Sequence, residues 1–138
     1  MKGGADYYAG RIRRSSRKAL LAQKNILVGV DYEPYASINR YAVTASCFCR
    51  TCIAAFAARY GLKELPPGEI LKKHEKQWID FRNEQRAEIM GAMAGGLKKF
   101  NPSARFAVVT KAMPAADEAE RYRREFGIDL CAMDRHVD

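Results

Sequence analysis

Residues 26–30, Ile-Leu-Val-Gly-Val, form a short apolar run, rich in β-branched side chains and free of charge. Such a run reads as a β-strand covered on both faces rather than as one side of a helix. Pro34 cannot donate a ladder hydrogen bond, and Tyr32 to Asn39 is polar and turn-rich. The strand is therefore expected to end near Asp31 to Glu33, with both acids at its carboxyl end.

Helical spacing surrounds this strand. From about Tyr7 to Lys24, Ile12, Ala19 and Leu20 mark the buried side of a helix. Further on, Ser46 is a plausible N-cap, and Ile53, Phe56, Ala57 and Tyr60 recur until Gly61 supplies a stop. A short helix is expected there, with the cysteines in its first turns. After Pro66-Pro67-Gly68, the spacing of Ile70, Leu71, His74, Trp78, Phe81, Ile89, Met93 and Leu97 predicts a long amphipathic helix ending before Asn101 and Pro102. Arg105 to Thr110 reads as a second strand, Pro114 as a turn, and Asp117 to Phe126 as a helix closed by Gly127. A third strand is expected to begin at His136, Val137 and Asp138.

Strands alternating with helices call for parallel pairing, which leaves doubly wound sheets and (β/α) barrels. The expectation is an α/β fold: a partial (β/α)8 barrel occupying residues 1–138 as one domain. A full barrel takes around 250 residues, so the chain reads as a fragment of a larger catalytic domain. No internal repeat or domain boundary is visible in the sequence.

Composition separates the classes of function. No stretch approaches the roughly 18 apolar residues of a membrane span, and no signal-peptide core is present, so the reading is a cytoplasmic protein with no membrane partner. The chain has 24 Lys+Arg against 16 Asp+Glu, a net charge of +8. Part of the excess lies in Arg11, Arg13, Arg14, Arg17 and Lys18, which reads either as the solvated face of the first helix or as a phosphate-holding patch.

Asp31 and Glu33 are the acid/base candidates. Two residues apart on an extended strand, they point to the same side, and like-charge repulsion raises the proton affinity of one of them. Glycoside hydrolysis needs such an acid to protonate the leaving oxygen and a second carboxylate as nucleophile or base. Glu33, nearer the strand mouth, is the candidate acid. The plainer alternative has Asp31 capping the next loop and Glu33 pairing with a basic residue. Tyr32, between the two acids, Lys111 after the second strand and Asp138 at the third are the substrate-binding candidates.

Cys47, Cys49 and Cys52 supply three soft ligands at close spacing. Tetrahedral zinc takes four, the fourth being Cys131, His74, His136 or a residue outside this chain. Three reduced thiols packed as small apolar groups are the alternative. Neither histidine has the Ser, Cys or Asp neighbours of a nucleophilic triad, and no organic cofactor is implied. Asn83-Glu84 is an Asn-Glu pair like those at catalytic strand ends, but it falls within the long helical pattern and reads as solvated surface.

The segment Gly29-Val-Asp31-Tyr-Glu33-Pro34, followed by Cys47-Phe-Cys49-Arg-Thr-Cys52 and Phe56, resembles the fourth strand and next loop of TIM-barrel glycoside hydrolases. The nearest likeness is to the family 42 β-galactosidase type and related uncharacterised glycosidases. Trp78-Ile-Asp-Phe81-Arg82 also resembles a helix of that group, and the likeness covers most of Ile26 to Asp138, a central piece around the fourth and fifth strands. It implies a carbohydrate substrate, Glu33 as acid/base, and structural zinc on the three cysteines with one upstream cysteine. Glu33 follows Tyr32 where many members have Asn, and no candidate seventh strand for the nucleophile is present. Asp31-Tyr-Glu33 is also similar to the end of the DxxDxDxE signature of chitinase-like barrels, with Ile26 and Gly29 at its two earlier acidic positions.

Two other readings stand beside a glycoside hydrolase segment. One is a non-enzymatic basic binding module for nucleic acid or another polyanion, although nucleic acid is not the expected partner. The other is a split product that completes itself with the remainder of a barrel or as a homo-oligomer, because two or three barrel strands leave open edges.

Overall fold

The computed structural model describes residues 25–31, 47–109 and 116–137. In chain order these form β1 (Leu27–Asp31), α1 (Arg50–Tyr60), α2 (Pro67–Phe100), β2 (Arg105–Val109), a helical run over 116–126 that contains α3 (Ala119–Arg121), and α4 (Leu130–Asp134). They belong to two compact units. One holds β1, α2 from Gln85 onward, β2 and α4; the other holds α1, α2 up to Glu84, and the run 116–126.

The first unit is organised by a two-stranded parallel sheet, registered from Leu27 opposite Arg105 to Asp31 opposite Val109. The Arg105 N–H donates to the Ile26 carbonyl at 2.8 Å, just before the ladder. Asn101 prepares this step: its Oδ1 accepts from the Ser103 N–H at 3.1 Å, and its carbonyl accepts from the Ala104 N–H at 3.0 Å. This Asx turn ends α2 and delivers Phe106 to the core. Met90, Met93, Ala94 and Leu97, on one side of α2, bury against Ala104 and Phe106, with Ile26, Val28, Val30 and Val108 packed alongside. Fully burying a side chain such as Phe106 contributes about 1.5–3 kcal/mol. Ala132 and Met133 of α4 close a smaller cluster with Ala87 and Val108.

In the second unit, Cys52 and Phe56 of α1 pack with Ile70, Trp78, Ile79 and Phe81 of α2. Gly61 ends α1 at φ 63°, a left-handed conformation that glycine adopts without Cβ strain, and the Leu62 N–H closes on the Ala57 carbonyl at 2.9 Å. Pro67 opens α2 where its missing N–H costs no helical hydrogen bond, with Glu69 in the first turn and Lys98 and Lys99 in the last. Helical geometry is interrupted at His74 (φ −136°, ψ 25°). The run 116–126 passes from 3-10 through α to π winding and stops at Gly127, φ 62°. Its Arg123 guanidinium reaches Asp80, Glu120 (2.9 Å) and Asp129 (2.9 Å), while Arg124 meets Glu75 at 2.7 Å.

Four sequence expectations are corrected. The partial (β/α)8 barrel does not hold: the described residues are mostly helical and carry only the β1–β2 pair. Strand-helix alternation was a fair sign of parallel pairing, but the described part of the β1–β2 connection is helical, formed by α1 and the long α2, and carries no further strand to build a barrel wall. No third strand begins at the described His136 and Val137, of which His136 lies in the turn after α4, and Asp138 is outside the described residues. β1 is not covered on both faces, since Leu27 is 63% exposed while Val28 and Val30 face the core. An apolar run reads alike whether its second face is covered or open. Asn83 is not solvated surface but 1% exposed, its Nδ2 donating to the Ile79 and Arg123 carbonyls at 2.8 and 3.1 Å. Docking of the run 116–126 covers a face of α2 that is polar in the sequence.

Candidate metal centre

The three close-spaced cysteines converge. One sulfur from each of Cys47, Cys49 and Cys52 lies within 4.8 Å of the others, and no other metal-ligating group of this kind occurs among the described residues. The local chain explains the convergence. Residues 47–49 are non-helical and α1 begins only at Arg50, with Cys49 as N-cap (φ −70°, ψ 158°). This corrects the expected helix start at Ser46, which lies outside the described residues. Had 47–52 been helical, Cys47 and Cys49 would project about 200° apart around the axis. An extended approach followed by the first helical turn instead turns all three sulfurs together.

Burial distinguishes the thiols. Cys47 and Cys49 are exposed and Cys52 is buried. Cys49 is lowered from its ordinary 9.0 to about 7, first by the Cys52 backbone N–H and then by the Cys47 and Cys52 thiols. Cys52 is pushed up to about 11, chiefly by burial and then by its hydrogen bond to Cys49, with Arg82 opposing. Cys49 therefore ionises before Cys52.

The cluster rests on an aromatic base. Phe48, between two of the cysteines, stacks on Trp78 with ring centroids 4.5 Å apart and planes 9° from parallel. Phe56 and Phe81 meet Trp78 at 5.1 and 5.5 Å. Arg82, one helical turn beyond Trp78, lies 5.9 Å from the Trp78 ring centre and donates from Nη1 to Cys52 Sγ at 3.5 Å. Sequence reading singled out Trp78, Phe81 and Arg82 only as a helix pattern. The signal for Arg82 was its position four residues after Trp78, which puts both on one helix face.

The other candidates fall elsewhere. His74 Nδ1 is 2.6 Å from Gln77 Oε1 and its ring meets Phe56 edge-on, so His74 is structural. Cys131 is exposed on α4 and His136 lies against Gly91. Neither joins the sulfur group. Asp31 ends β1. Tyr32, Glu33, Lys111, Asp138 and the basic residues Arg11 to Lys18 lie outside the described residues. No helix among the described residues is long and apolar enough to cross a membrane. No protein-family model, curated protein or solved structure matches the chain.

Proposed function

We propose that this chain is a zinc-binding protein in which Cys47, Cys49 and Cys52 hold a structural ion that clamps the start of α1. The observation that carries this reading is the approach of three sulfurs to within 4.8 Å. Around tetrahedral zinc, with Zn–S of about 2.3 Å, sulfurs stand about 3.8 Å apart, so closure needs a shift on the order of 1 Å. All-thiolate donors favour a soft or borderline ion over magnesium or calcium. The fourth position goes to a further protein donor or to water. Purification without chelator followed by metal analysis is expected to give stoichiometric zinc, lost in Cys49→Ser. A metal-free wild type would dismiss the reading.

A second reading is glycosidic bond hydrolysis on a carbohydrate substrate, with Glu33 as general acid and Asp31, the last residue of β1, as the companion carboxylate. What favours it is the parallel β1–β2 pair, since parallel sheets collect functional groups at the carboxyl ends of their strands. A panel of chromogenic glycosides is expected to show turnover that Glu33→Gln abolishes. Equal turnover in the two proteins would remove Glu33 from the chemistry.

A further inference from the structure

Three thiolates and one divalent zinc carry a net negative charge, and the sulfur that meets the greatest cost for it is the buried one. Cys52 is 5% exposed, whereas Cys47 and Cys49 stand in solvent. A buried anion is tolerated when a cation or hydrogen-bond donor faces it. The group facing Cys52 Sγ is the Arg82 guanidinium, with Nη1 at 3.5 Å.

Arg82 is held for that task by its own helix. Trp78 is fully buried and fixed on three sides by Phe48, Phe56 and Phe81. The guanidinium lies 5.9 Å from that ring's centre, so its plane is braced while its edge points at sulfur. Phe48, flanked by two of the cysteines, completes a circuit from the cluster through Trp78 to Arg82 and back to Cys52.

Resting on the zinc reading, we propose that Arg82 is the positioning residue of this centre: its guanidinium orients Cys52 as a thiolate ligand and balances the negative charge of the metal–thiolate group. Donors one shell out from a metal ordinarily change affinity by about 10–100-fold. A hydrogen bond to a ligating sulfur also lowers the energy of its lone pairs, which raises the energy of sulfur-to-metal charge transfer.

The test titrates the metal-free full chain with cobalt(II), as a spectroscopic stand-in for zinc, in wild type, Arg82→Gln and Arg82→Lys. Arg82→Gln is expected to weaken binding about 10–100-fold and to move the charge-transfer band to lower energy. Arg82→Lys keeps the charge but not the fork that spans Trp78 and Sγ, so it restores most of the affinity while the band stays displaced. A purely structural Arg82 would lower stability and leave the band in place. Should Arg82→Gln fail to fold, Arg82→Lys decides alone, an unmoved band overturning the proposal and a displaced one upholding it. Tight binding with an unmoved band in Arg82→Gln overturns this inference and spares the zinc site. A wild type that takes up neither cobalt nor zinc overturns both.

Discussion

Phe48 lies flat on Trp78, centroids 4.5 Å apart, and its two chain neighbours are the cluster residue Cys47 and the cluster residue Cys49. The sulfur group and the aromatic core are thus joined by a single peptide step on either side of one ring. Trp78 is also the chain's only tryptophan. Zinc addition to the metal-free protein is accordingly expected to change tryptophan emission, because fixing residues 47 and 49 fixes the ring stacked on the reporter. In Phe48→Ala the metal still binds but the emission change shrinks strongly, and stability falls by about 1–2 kcal/mol for the lost stacking and half-buried area. An unchanged emission response in Phe48→Ala would separate the two features.

The thiols set a pH order. In metal-free protein Cys49 titrates at about 7 and Cys52 at about 11. Alkylation with iodoacetamide, mapped by mass spectrometry, is expected to modify Cys49 well before Cys52 at neutral pH, with the Cys49 rate rising through pH 7. Labelling of Cys52 as fast as Cys49 would contradict it. The linkage to stability has opposite signs for the two residues. Cys49, depressed from 9.0, adds stability that is present above pH 9 and lost as pH falls through 7. Cys52, raised from 9.0, adds stability that is present below pH 9 and lost as pH rises through 11. The metal-free protein should be most stable near pH 9 with respect to these two groups, and bound zinc should shift the balance by competing with protons for sulfur.

Arg123 gathers three carboxylates, Asp80, Glu120 and Asp129, onto one half-buried guanidinium. Removing it leaves three like charges facing one another and weakens the hold of the run 116–126 on α2. Arg123→Met is expected to lower the unfolding free energy by about 1–3 kcal/mol, below the value for a fully buried pair because Glu120 is 66% exposed. Denaturant unfolding measures it, and the loss should shrink when Asp80→Asn is added, since that removes part of the repulsion. A loss that grows instead would point to packing of the arginine stem.

What the sequence conveyed, and what it hid, follows from the range of the interactions. α2 was legible because Ile70, Trp78, Phe81, Met93 and Leu97 keep helical period and Pro67 and Asn101 punctuate it, all local signals. Gly61 and Gly127 were legible as stops, and both adopt the left-handed conformation that favours glycine. The cysteine trio was legible by spacing, but its helix start was placed early because Ser46 is a commoner N-cap than Cys49. Asn83, Arg82 and Arg123 were hidden because their roles depend on partners 30 to 43 residues away. The barrel was misread for the same reason: alternation of elements is local, whereas the number of strands sharing a sheet is not.

Gly91 and His136 offer a test in which propensity and packing oppose each other. In an exposed helix interior, replacing glycine by alanine stabilises by about 1 kcal/mol. At position 91 of α2, however, a Cβ would stand 2.5 Å from His136 Nδ1 and 3.1 Å from its Cγ. The His136 ring, in the turn that follows α4, would have to move aside. Overpacking of this kind costs about 1–3 kcal/mol, so Gly91→Ala is expected to destabilise despite its better helix propensity. His136→Ala removes the obstacle. In that background Gly91→Ala should change sign and stabilise by up to about 1 kcal/mol, which a double-mutant cycle in denaturant reads as a coupling of about 1–3 kcal/mol. Stabilisation by Gly91→Ala in the wild-type background would mean that His136 yields at little cost.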